Sequence, residues 1–231
     1  MIEISQLTKS FGGHRTAVDN VTAEFPAGSV TALLGLNGAG KTTLLRLISG
    51  LDRADGGTIA VCGRVQSRDP RLLGVHLGPD AMNPGHTVRR HLSWLAALSG
   101  IGPARVDAVL GETGLLDQRT VRIGRLSLGA RQRLAIAGAL LGEPRALLFD
   151  EPLNGLDIPG IVWFRCLLRR LAAAGATVVI ATHLLGEVVL TADRIALLVN
   201  GRVRTLGALE QLIPAGQDTR EWLEATLLEC A

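Results

Sequence analysis

The stretch GLNGAGKTT at residues 35 to 43 sets glycines at fixed spacing ahead of a lysine and two threonines, and Gly35 to Thr42 fits G-x-x-x-x-G-K-[ST]. Glycines in such a loop let backbone N–H groups converge on a phosphate, and the N-terminus of a following helix adds the positive end of its dipole. Lys41 then supplies a countercharge and Thr42 a hydroxyl for magnesium. Far along the chain, ALLFDEP ends an apolar run on Asp150 and Glu151. An acid at the C-terminal edge of a buried strand can hold magnesium through water while its neighbour polarises an attacking water. Two adjacent acids also suit a solvated turn, and it is the phosphate loop that gives this pair its chemistry. His183 follows VVIAT and leaves the same sheet edge, within reach of a terminal phosphate, although a lone histidine is more often structural.

A second anion grip lies in RLSLGARQR, residues 125 to 133. Ser127 and Gly129 open a helical run from Ala130 to Leu141, so a hydroxyl and free backbone N–H groups face outward. Ser127 lies 86 positions beyond Lys41, on a different part of the chain. One site rarely needs two such grips. The economical arrangement is a head-to-tail pair in which Ser127 of one chain closes over the phosphate held by Lys41 of the other.

The elements that must position these residues follow from periodicity. Strand-like segments come first, at Ile2 to Ile4, Ala17 to Phe25 and Val30 to Leu34, and the last runs straight into Gly35 and a helix over Thr42 to Ile48. TIAV at 58 to 61 reads as another strand. From about residue 72 to 142 the pattern becomes helical, over Thr87 to Ser99, Pro103 to Thr113 and Ala130 to Leu141. The continuous apolar runs at 146 to 149, 176 to 182 and 194 to 199 suit strands buried on both faces of a parallel sheet, with helices at Ile158 to Ala174 and Leu184 to Leu190 between them. Asn200-Gly201 signals a hairpin. The expectation is an α/β core interrupted by a helical lobe near residues 72 to 142, all within one domain over residues 1 to 231. Phe11 sits in a glycine-flanked loop, where it can stack on a flat ring or simply pack. On the helix from Thr87, Trp94 belongs to the edge of the core or to a partner groove. A C-terminal helix over about 218 to 229 carries Trp222, Leu223, Thr226 and Leu227 on one face, which reads as a docking face.

Bulk properties exclude several classes. At 231 residues the chain has room for one large domain and none for a long multi-domain machine. A net charge of +3, with Arg scattered along the chain, is too mild for nucleic-acid binding. Cys62, Cys166 and Cys230 show neither disulfide nor zinc spacing. No uninterrupted apolar run approaches the roughly 18 residues that span a bilayer, so the expectation is a soluble, cytosolic chain.

In order along the chain, the phosphate loop, the LSxG helix, the Asp-Glu pair, the LNGLD loop and His183 resemble the ATP-binding subunit of an ABC transporter. Within that family, SLGARQRLAIAGALLGEP and ATHLLGEV are similar to the ATPases of antibiotic, multidrug and lantibiotic exporters. The resemblance implies an antiparallel β lobe beside a P-loop core, and ATP and Mg2+ as ligands, with Phe11, Gly35, Asn37, Gly38, Ala39, Gly40, Lys41, Thr42 and Thr43 around the nucleotide. It also implies a catalytic base at Glu151 with His183 beside it, magnesium at Thr42 and Asp150, a cross-dimer grip at Ser127 and Gly129, and a dimer loop through Asn154 and Asp157. The implied partners are a second ATPase subunit, identical or related, and a separate transmembrane permease. That places the chain on the cytoplasmic face of the membrane, driving efflux of a drug, antibiotic or peptide. A soluble non-transport ATPase and a nucleotide-binding regulator with little turnover are the alternatives. The chain departs from the family at Leu128 and Ala130 in the signature, at Leu36 in the phosphate loop, and at Gly78, which falls where a magnesium-linking glutamine is expected. Asp80 either substitutes for that glutamine or caps a turn.

Overall fold

The computed structural model describes residues 1–12, 15–65, 69–79 and 82–229. Alternation at the start of the chain builds an antiparallel sheet. Strand β1 (Ile2–Phe11) buries Ile2, Ile4 and Leu7 and exposes Glu3 and Ser5, the period-two pattern of a half-buried strand. It pairs with β2 (Arg15–Phe25) and β4 (Gly56–Val61), and β5 (Arg64–Val65) extends the edge, in the order β2-β1-β4-β5. Irregularities between Ile4 and Leu7 let β1 run on to Phe11, well past the short strand that IEI suggests. Phe11 is thus the last residue of a strand, opposite Arg15, and not a loop residue.

The apolar runs form the second sheet. β3 (Ser29–Leu34) and β8 (Thr177–Ala181) are buried at every position, and β7 (Ala146–Asp150) at every position but its last. Six strands lie in the order β10-β9-β3-β8-β7-β6, with β9 (Arg194–Val199) parallel to β3 and β10 (Arg202–Ala208) an antiparallel edge. One face of this sheet, through Leu33, Leu148, Val179 and Ala196, shares a core with α1 (Lys41–Ile48) and the antiparallel sheet. The other, through Ala32, Leu147, Phe149, Val178 and Ile180, shares a core with α5 (Ile158–Ala173) and the helices before β7.

The segment expected to turn helical at about residue 72 opens instead with a strand. β6 (Leu73–His76) pairs parallel with β7, His76 opposite Phe149. Four residues interrupted by Gly74 give no readable period, and the glycine itself reflects packing. A Cβ there would lie 2.2 Å from the Ala139 carbonyl oxygen of α4 (Leu128–Leu140). The helices start only at α2 (Val88–Leu98), where Thr87 Oγ1 accepts from Arg90 N, and α3 (Pro103–Glu112), with proline in its first turn. α4 begins two residues before the expected Ala130. Trp94 is 51% exposed, with its ring centroid 6.4 Å from that of His86 and 6.3 Å from that of the buried His91.

Beyond β8 come α6 (Leu185–Thr191), α7 (Leu209–Leu212) and α8 (Thr219–Glu229). α8 buries Leu223 and packs Trp222 and Leu227 on the main core, so its expected docking face is turned inward. No helix among the described residues is long and apolar enough to cross a membrane.

Gly74→Ala forces backbone of β6 and α4 apart and is expected to cost about 1–3 kcal/mol. Gly111→Ala, on an exposed face of α3 with nothing within 4 Å of the added carbon, is expected to be neutral or to stabilise by up to about 1 kcal/mol. Urea unfolding of both variants checks the pair, with a lowered midpoint only for Gly74→Ala.

Candidate functional site

Four consecutive neighbours in the large sheet, β3, β8, β7 and β6, run parallel and end on one edge, so the segments that follow them converge. Residues 35–40 follow β3. The left-handed φ values of Gly35 and Gly40, 154° and 107°, accompany close backbone approach: a Cβ on Gly35 would lie 2.4 Å from Leu198 O, and one on Gly40 2.2 Å from Ala17 O. No side chain fits between this loop and the two strands it rests on. The loop opens α1, whose first residue is Lys41.

Lys41 is buried, and its Nζ donates to Gly35 O at 2.6 Å and to Leu36 O at 3.3 Å. Burial pulls its ammonium below the ordinary lysine value, against the charges of Glu151 and Asp150. Thr42 Oγ1 donates to Asp150 Oδ2 at 2.7 Å across 108 residues of sequence. Burial pushes the Asp150 carboxyl up, opposed by that hydrogen bond and by Lys41 and reinforced by Glu151. Asp150 Oδ1 is buried without a hydrogen-bond partner. A hydroxyl and a carboxylate in contact, with one carboxylate oxygen unpartnered, suit a hard, oxygen-seeking divalent cation.

Glu151 takes a φ of 45° as the chain leaves β7, and its Oε2 lies 2.9 Å from His183 Nδ1. Thr182 Oγ1 accepts from Leu184 N, so Thr182 shapes the turn carrying His183 and does not cap α6. Phe11, Ala17, Asn37, Gly38, Gly40, Lys41, Thr42, Thr43, Asp150 and Glu151 line one open cleft of about 450 Å3. Ala39 is buried beneath the loop. Phe11 is half exposed, with Lys9 Nζ 5.3 Å from its ring centroid.

Ser127 and Gly129 do not line that cleft. Ser127 Oγ accepts from Ala130 N and caps α4, leaving the hydroxyl hydrogen to donate outward. Asn154 is exposed, and Asp157 caps α5 by accepting from Gly160 N at 2.9 Å. Gly78 follows β6 with a φ of 95° and open space where a side chain would project. Its backbone is in the glycine region, so a glutamine there would carry roughly 1–2 kcal/mol of strain. Asp80 lies outside the described residues. A residue not read from the sequence is Gln132, buried on α4, whose Nε2 donates to Pro152 O at 2.8 Å and to Glu151 O at 3.3 Å. Its only sequence signal is an uncharged polar residue between two arginines in an otherwise apolar helix.

The model of the ABC transporter family matches residues 18–154. The chain belongs to the ABC transporter ATP-binding family. The lantibiotic transport ATP-binding protein of Streptococcus pyogenes is 35% identical over 206 residues, covering 88% of this chain and 89% of that protein. The sulfate/thiosulfate import ATP-binding protein of Nocardia farcinica is 37% identical over 220 residues, covering 92% of this chain and 66% of that protein. A dimeric structure of a bacterial ABC transporter cassette superposes with a TM-score of 0.82 at 25% identity, over 90% of this chain and 98% of that one. This ABC ATPase therefore has the P-loop fold with its β and helical lobes, and it is an ATP-hydrolysing enzyme that works with a membrane partner.

At the rim of the site, burial lowers the His76 imidazole to about 4. The unfolded chain protonates it near 6.5, so its neutral burial contributes stability above that value and loses it as pH falls toward 4. His91, also lowered by burial, acts in the same sense, and Asp150, raised, acts in the opposite one. Between about pH 7.5 and about pH 5, His76 is expected to account for about 2 kcal/mol of lost stability. Denaturant unfolding at the two pH values checks this, the loss being smaller by that amount in His76→Leu.

Proposed function

We propose that this chain is the energy-coupling subunit of an exporter, in which two copies, or this chain and a related one, close on two MgATP and reopen on hydrolysis. The observation that carries the reading is the division of the site. Lys41, Thr42, Asp150 and Glu151 line one cleft, whereas Ser127 and Gly129 lie outside it at the start of α4. A head-to-tail pair brings the second set onto the nucleotide of the first, in keeping with the dimeric cassette of the same fold.

In this reading Phe11 stacks on the adenine, and the loop of Gly35, Asn37, Gly38, Ala39 and Gly40 cradles the phosphates with Lys41, Thr42 and Thr43. Lys41 exchanges its two loop carbonyls for the γ-phosphate. Thr42 and Asp150 would hold magnesium, which would supply positive charge beside the phosphates. Glu151 accepts a proton from the water that attacks the γ-phosphorus as the bond to the ADP oxygen breaks, and His183 orients Glu151 through their 2.9 Å contact. Asn154 and Asp157 lie in the dimer loop. A separate transmembrane permease gives the solute its route and holds the chain at the cytoplasmic face. The lantibiotic transport relative supports peptide or drug efflux. The similarly identical import relative favours a second reading in which the same motor drives uptake. Flux measured in vesicles with the co-purified permease separates the two directions.

Lys41→Ala is expected to weaken ATP binding. Glu151→Gln should keep binding, lower turnover by about a hundredfold or more, and trap an ATP-dependent dimer on size exclusion. Adding Ser127→Arg places bulk and charge in the seam and should abolish that dimer. Near wild-type hydrolysis in Glu151→Gln removes Glu151 as the base, and a dimer that survives Ser127→Arg removes Ser127 from the seam.

With no amide at residue 78 to orient water or metal, basal hydrolysis should be slow, and Gly78→Gln should raise it despite the strained φ. Steady-state ATPase assays at saturating magnesium decide this, an unchanged rate showing that residue 78 does not limit the reaction.

A further inference from the structure

The proposed cycle makes no use of Gln132, although it is 1% exposed and both hydrogens of its amide are directed at the backbone of residues 151 and 152. The residue it holds is strained: Glu151 is a non-glycine at a φ of 45°, where its side chain crowds the backbone. Such a conformation persists only where neighbours fix it. Here Glu151 N donates to Ala181 O at 2.9 Å, and Glu151 O accepts from Asn154 N and from Gln132 Nε2, each at 3.3 Å. The Ala181 contact belongs to the sheet and the Asn154 contact to the loop itself. The Gln132 contact alone comes from α4.

A second fastening lies one helical turn away. Leu128 covers Gly155 so closely that a Cβ on that glycine would sit 2.4 Å from Leu128 Cγ, and a Cβ on Gly129 would sit 3.0 Å from Gly155 O. Residues 151–155 are therefore joined to α4 at two points, one a buried pair of hydrogen bonds and the other an apolar contact. α4 is also the helix that Ser127 caps. Over the turn and a half from Ser127 to Gln132 a helix moves as a rigid piece.

We propose that Gln132, helped by Leu128, is a positioning residue that couples the two nucleotide sites of the pair. When Ser127 closes on the partner's nucleotide, α4 shifts as a unit, and Gln132 carries that shift to the backbone of Glu151 in its own cleft. Each site then gains its fully placed base only when the opposite site is occupied. This rests on the head-to-tail reading above, and it concerns how the sites communicate, not whether they form.

The experiment measures hydrolysis against ATP concentration for the wild type, Gln132→Met and Leu128→Ala, with ADP affinity and melting temperature of each. In parallel, size exclusion follows the ATP-dependent dimer when each substitution is combined with Glu151→Gln. The wild type is expected to show a Hill coefficient above one, with a ceiling of two for two sites. Gln132→Met should bring it to about one and lower kcat about tenfold, with ADP affinity changed by less than about twofold, and Leu128→Ala should move both in the same direction. A purely structural role for Gln132 would scale the rate with the folded fraction and leave the Hill coefficient alone. A Hill coefficient of one in the wild type, or an unchanged one in both variants, overturns the coupling. With the Glu151→Gln dimer intact, either result does so without touching the head-to-tail reading. Loss of that dimer in otherwise wild-type chain overturns both. Should Gln132→Met fail to fold, Leu128→Ala decides the matter, because its side chain is half exposed and its truncation spares the core.

Discussion

A Cβ on Gly35 would lie 2.4 Å from Leu198 O, and one on Gly40 2.2 Å from Ala17 O. The backbone of the phosphate loop is pressed against β9 of the parallel sheet on one side and β2 of the antiparallel sheet on the other. Contact with both sheets fixes the course of its backbone. That contact requires the two sheets to share a core through α1, and it requires α1 to begin at Lys41, where the loop ends. The position of every other group in the site is set relative to this loop.

Burial works against charge in the cleft. Burial lowers Lys41 and raises Asp150, so for each side chain the fold makes the charged form costlier than it is in water. Lys41 is held by two loop carbonyls, and Asp150 by one hydroxyl with its other oxygen unpartnered. A polyphosphate beside Lys41 and a divalent cation beside Asp150 would offset that cost by pairing with the charged forms.

The cleft and the signature helix occupy different parts of the fold. Ser127 and Gly129 do not line the cleft of their own chain, yet α4 is fastened through Gln132 and Leu128 to the loop that carries Glu151. A helix that reaches outward at one end and touches the local base at the other links the surface to the chemistry.

Local chemistry made much of this legible in the sequence. Gly35 to Thr42, Asp150-Glu151 and His183 are recognisable because phosphate cradles, metal ligands and bases need particular residue types at fixed spacing, and the long apolar runs of β7, β8 and β9 are recognisable because burial on both faces leaves no polar position. Strand β6 was not legible, since four residues carry no period and Gly74 answers to the backbone of α4. Phe11 reads as a loop residue because the irregularities that lengthen β1 arise from pairing with β2 and β4. Nor does sequence spacing show that Gln132 reaches Glu151 or that Thr42 reaches Asp150. The sequence by itself determined which groups can bind phosphate, hold a cation and take a proton. Which of them meet, at what distance and in what state of solvation was decided only by the tertiary structure, because those contacts join residues 19 to 108 positions apart through parallel strand order and the approach of backbones.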